Sequence, residues 1–188
     1  MIISLGEVLV AIGAKVTDKL DSADLTTELV VTVVVSVFLA AALWWVYFAF
    51  VPRACEAYLS QMHGNDRARY ARDAYTFAHF AIVLGVVFYA VVAKHVVVHP
   101  GEPLDHADRW MLAASVVLFT GGLMVVKART TGGIALERVA VIAIGCGAAF
   151  SGDAVDAIAA IAVIAVAMIS AQIITGRRFA QSSLGRLP

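Results

Sequence analysis

An all-α bundle of about six transmembrane helices is the fold this sequence predicts, and three observations predict it. Of its 188 residues, 61% are hydrophobic and only 15% charged, against roughly half and a quarter in ordinary soluble domains. A soluble domain of this size buries only about 70% of the surface its unfolded chain exposes, and too few polar residues remain here to cover the rest. The surplus needs a bilayer. The apolar residues also fall in runs separated by short charged links. Finally, the basic residues gather on one side when those links are assigned alternately to the two faces of a membrane.

The first span covers about 1–14. It is short and carries Glu7 within the run, but it lacks a basic start and a clear small-residue cleavage site, so it reads as a retained helix rather than a signal peptide. The second, 29–51, holds no charged residue and stops at Pro52-Arg53. At ~1.5 Å rise per residue it reaches roughly 35 Å, enough to cross a hydrocarbon layer of about 30 Å with some tilt. Its valines alone suggest strand, but a lone strand in lipid leaves its backbone unsatisfied, so helix is the reading.

The third span, 74–93, has His79 as its only ionisable group, and the fourth, 110–126, lies between Arg109 and Lys127. The fifth, 136–152, is short and keeps Glu137 and Arg138 at its interface; the sixth, 157–176, lies between Asp156 and Arg177-Arg178. Together they make one integral membrane domain over 1–188. Small residues such as Gly121, Gly122, Gly145 and Gly147 mark faces for close packing, and the last two spans are expected to pack on each other.

Loop charge decides the count of crossings. With six, one side holds ten basic residues: Arg53, Arg67, Arg69, Arg72, Lys127, Arg129, Arg138, Arg177, Arg178 and Arg186. The other holds four: Lys15, Lys19, Lys94 and Arg109. Cytoplasmic loops are enriched in Lys and Arg, so both termini are expected in the cytoplasm. Trp44, Trp45 and Tyr47 near one end of the second span, and Trp110 at the start of the fourth, are interfacial anchors in this reading.

Net charge is zero, which gives no general attraction for nucleic acid. Two cysteines, Cys55 and Cys146, are too few for a disulfide framework and are expected to be free thiols. No phosphate loop, nucleophile elbow, HExxH or dinucleotide fingerprint occurs. No catalytic residue, cofactor or metal is assigned, and an enzyme has no support in the residues.

Ionisable groups at membrane depth are the chemical candidates, because burying them unpaired is costly and they usually face the bundle interior. Glu7 is a protonatable carboxylate or ion ligand in one reading, and an interface glutamate satisfied by Ser4 or a neighbouring helix in the other. His79 is either a proton-exchanging group near neutral pH or a structural hydrogen-bond partner, with Tyr75 one turn earlier on the same face. Asp153 and Asp156 are helix-cap or ion-site candidates at the start of the last span, with capping the favoured reading. His95, His99 and His106, with Glu102 and Asp105, form a polar outer cluster. His95 and His99 have metal-compatible spacing, but Pro100 makes helical geometry at His99 doubtful, and the cluster reads as a solvated loop. The link 53–73 reads equally as an interfacial helix or a connector.

Three segments carry a family resemblance: Ile3-Ser4-Leu5-Gly6-Glu7, Leu43-Trp44-Trp45-Val46-Tyr47-Phe48, and Ala74-Tyr75-Thr76-Phe77-Ala78-His79-Phe80 followed by Leu84-Gly85-Val86. In order and spacing they resemble the bacterial low temperature requirement protein A family, specifically the C-terminal half of a typical member. The N-terminal half, with its Phe-Phe-Asp-Leu helix, has no counterpart here, and Ala49 stands where the family pattern is acidic. The resemblance implies a multi-pass protein of the bacterial inner membrane and supplies no reaction. Two functions are compatible with it. One is a transporter- or channel-like protein with a protonatable intramembrane site. The other is a non-catalytic subunit or half-protein that self-associates or pairs with another bundle in the bilayer.

Overall fold

The computed structural model describes residues 1–21, 26–133, 135–152 and 155–184, and among these the regular structure is wholly helical. In chain order the helices are α1 (Ile2–Asp21), α2 (Thr27–Leu59), α3 (Gly64–Arg72), α4 (His79–Val98), α5 (His106–Thr131), α6 (Leu136–Ala149) and α7 (Ala157–Leu184). A π-helical turn, Asp73–Ala78, joins α3 to α4 without a break. Gly64–Val98 is therefore one rod, and the bundle has six. Among the described residues, four are long and apolar enough to cross a membrane: Thr27–Ala49, Gly64–Val98, His106–Thr130 and Ala157–Arg177. The other two, α1 and α6, are the short spans of the sequence.

Several ends differ from expectation. α1 continues past residue 14 to Asp21, and its exposed end carries a Lys15–Asp18 ion pair of 2.7 Å. α2 runs through Pro52 to Leu59. Proline removes one helical hydrogen bond and crowds the preceding turn. Here the carbonyl that loses its donor is that of Phe48, close to the end of the apolar segment. The link after it is itself helical, as α3.

Local chemistry fixes other ends as capping rules expect. Thr26 accepts a hydrogen bond from the Leu29 amide at the start of α2 (3.2 Å), and the Asp105 carboxylate accepts one from the Asp108 amide at the start of α5 (2.7 Å). Gly132 closes α5 in the left-handed region at φ 70°, where a Cβ is unfavourable.

α4 lies between α1 and α5, α6 bridges α5 and α7, and α2 packs on α7 and α5. Glycines set the closest approaches. A Cβ on Gly122 would meet the Ile82 side chain at 2.5 Å, and one on Gly145 the Val116 side chain at 2.7 Å. α6 and α7 do pack together, yet Gly145 faces α5, and Gly121 and Gly147 have open space beside them. Much of the outer surface is apolar, with Ile3 87% and Val10 64% exposed on α1. In water this would be untenable; against acyl chains it is the required surface.

Candidate functional site

His79 is the first residue of α4, directly after the π turn. Such turns pack an extra residue into a helical turn and often occur at functional positions. The turn is held at its base by Asp73, which is buried and paired with Arg72 (2.9 Å) and with Arg129 from α5. Held in this way, His79 places its Nδ1 3.1 Å from the hydroxyl of Tyr47 on α2. Both belong to the segments singled out in the sequence. One of the two groups donates and the other accepts, so the pair shares one proton across two helices.

Tyr47, expected as an interfacial anchor, is buried against its neighbours. It is 8% exposed, packs edge-on to Phe48 (5.0 Å between centroids), and directs its hydroxyl inward. Trp44, Trp45 and Trp110 are outward-facing, at 50%, 41% and 59% exposure.

A cavity of about 510 Å³ opens beside this pair at the same end of the bundle. Tyr47, Pro52, Glu56, Ser60, Arg67 and Tyr75 line it, so its wall joins charged groups of α2 and α3 to the buried Tyr47. Tyr75, half-exposed, stands at its rim. Nearby, the Tyr70 hydroxyl donates to the Cys55 sulfur at 3.5 Å, and its ring lies tilted against that of Tyr58, centroids 4.8 Å apart.

Glu7 and Ser4 do not join this pair through any described contact. Ser4 is half-buried on α1, while Glu7 is exposed on its outward side. Asp156 is exposed immediately before α7, its carbonyl accepting the Ala160 amide at 3.0 Å, as a residue at a helix start does. Asp153 lies outside the described residues.

At the opposite end, α4 stops at Val98 and His99 leaves helical geometry (φ −122°, ψ 66°), as Pro100 led one to expect. The His95 Nδ1 meets the Asp108 carboxylate at 2.6 Å. Asp108, beside the start of the apolar segment 110–126, is buried.

Sequence reasoning missed the Asp73–Arg129 pair, because the partners are far apart in the chain and each looked like a loop charge. It missed Asp108 for the same reason. It also placed Glu137 merely at an interface, whereas Glu137 accepts from Thr175 at 3.0 Å and pairs with Lys127 at 3.4 Å.

The fold and its surface define a polytopic helical membrane protein. The model of the bacterial low temperature requirement A protein family (LtrA) matches residues 1–175. The chain belongs to that family. No curated protein and no solved structure matches it.

Proposed function

We propose that this protein is a transporter- or channel-like component of the bacterial inner membrane, with both termini in the cytoplasm and Tyr47–His79 as its protonatable intramembrane site. The observation that carries the reading is the 3.1 Å Tyr47–His79 hydrogen bond beside a cavity of about 510 Å³. An imidazole exchanges protons near neutral pH, and a phenol hydrogen-bonded to it fixes its tautomer and gives the proton a path. The cavity leads from Glu56 and Arg67 to Tyr47, a route for water or ions to reach the pair from the basic side of the bundle. Ionisable residues at membrane depth usually mark such pathways.

The test is proton-linked flux in proteoliposomes loaded with a pH-sensitive dye. Wild-type protein dissipates an imposed pH gradient; His79→Ala loses at least about tenfold of the rate, on the scale expected for removing a proton-transfer group. Tyr47→Phe, which keeps the ring and removes the hydroxyl, shifts the pH dependence of flux. A His79→Ala rate equal to wild type would remove the assigned role.

One observation favours a second reading, a bundle that associates with another copy or another membrane subunit. Glu7 is exposed on the outward side of α1 among Ile3 and Val10, and a carboxylate facing acyl chains is costly unless covered or protonated. A second bundle against α1 would cover it. Crosslinking through a cysteine at residue 3 or 10 in membranes tests this; recovery of monomer alone would sink it.

A further inference from the structure

We propose that the outer end of the bundle carries a divalent transition-metal site of the zinc class, formed by His95, Asp105 and Asp108. The ligand atoms of these three residues all lie within 4.8 Å of one another. They line a cavity of about 170 Å³ together with His99 and Glu102. His95 comes from the last turn of α4, Asp105 caps α5 and Asp108 sits in its first turn. The site therefore spans the ends of two helices that also pack on each other along their length.

The donor set selects the ion. One imidazole nitrogen with two carboxylates suits zinc, cobalt or nickel, whereas magnesium and calcium favour oxygen ligands throughout. Nδ1 of His95 and the Asp108 carboxylate are 2.6 Å apart, held by one shared proton. An ion with metal–ligand distances of about 2.0–2.2 Å replaces that proton by a small separation of the two groups. One Asp105 oxygen already accepts the Asp108 amide, which fixes the carboxylate's direction and leaves its second oxygen for the ion. His99 stands beside His95, ring centroids 5.4 Å apart, and is placed to supply a fourth ligand. Asp108 is 7% exposed, so the site has a rigid, buried floor.

The geometry can be tested with the purified full chain in detergent, stripped with chelator and titrated with cobalt chloride and then zinc sulfate. Wild type binds one cobalt per chain with visible ligand-field bands, and zinc displaces it while excess magnesium does not. His95→Gln and Asp105→Asn each weaken cobalt binding by about 100-fold or more, beyond the loss expected for a residue that only supports a ligand. Asn is as good a helix cap as Asp, so Asp105→Asn keeps α5 intact and separates metal binding from folding. Absence of stoichiometric cobalt in wild type, or wild-type affinity in both variants, overturns the proposal.

Discussion

Gly85 of α4 lies so close to Phe119 of α5 that a Cβ at residue 85 would stand 2.7 Å from the Phe119 amide nitrogen and 2.8 Å from the Ser115 carbonyl oxygen. Both obstacles are backbone atoms, which cannot move aside as a side chain can. In a bilayer, where apolar burial between helices gains little, such close approach is a main source of association. Gly85→Ala must push α4 and α5 apart and is expected to cost about 1–3 kcal/mol, the usual range for overpacking. Thermal unfolding in detergent measures it. Gly121→Ala, with nothing within 4 Å of its Cβ, is the matched control and should leave the transition unmoved.

Tyr89, wholly buried, donates its hydroxyl to the Ser36 carbonyl at 2.6 Å and so ties α4 to α2. Tyr89→Phe keeps the ring and loses the bond, with an expected cost of about 0.5–1.5 kcal/mol. Tyr89→Ala also empties the space the ring fills and is expected to cost about 3–5 kcal/mol. Equal melting of the two variants would show that the ring contributes nothing beyond its hydroxyl.

These contacts mark what was legible beforehand. Hydropathy located the long rods, since a charge-free run such as 29–51 has one viable structure in lipid. His79 stood out because an imidazole is conspicuous within 74–93. Its partner was not legible: Tyr47 sits beside Trp44 and Trp45 in an aromatic cluster, and only the rotation of α2 turns it inward while the tryptophans face out. Nothing in local sequence reveals that rotation. The π turn was hidden similarly, because its first residue, Asp73, pairs with Arg129 on a different helix. Glu7 illustrates the converse, a residue chosen by depth whose helix face depends on packing.

The Asp73–Arg129 pair anchors that turn. Asp73 is buried while Arg72 and Arg129 are more than half exposed, so the arginines retain hydration and the carboxylate does not. Arg129→Gln leaves Asp73 with one neighbour from its own helix and is expected to destabilise by roughly 1–3 kcal/mol; Arg72→Gln should cost less, because it does not bridge two helices. A double-mutant cycle of Asp73→Asn with Arg129→Gln isolates the coupling. Zero coupling energy would mean that α3 and α4 hold the turn without α5.

The arrangement of helices predicts which residues are reachable from each side of the membrane. Gln61 and Arg177 are exposed at the basic end, and Glu102 is exposed at the other. Cys55 is buried and Cys146 partly so; both are replaced by serine to give a silent background. Single cysteines at 61, 102 and 177 are then treated with a membrane-impermeant maleimide in intact spheroplasts. Residue 102 should label from outside, whereas 61 and 177 should label only after permeabilisation. Residue 177 decides the count of crossings. If α6 failed to cross, α7 would run the opposite way and residue 177 would label from outside, placing Arg177 and Arg178 against the distribution of basic charge that membranes favour.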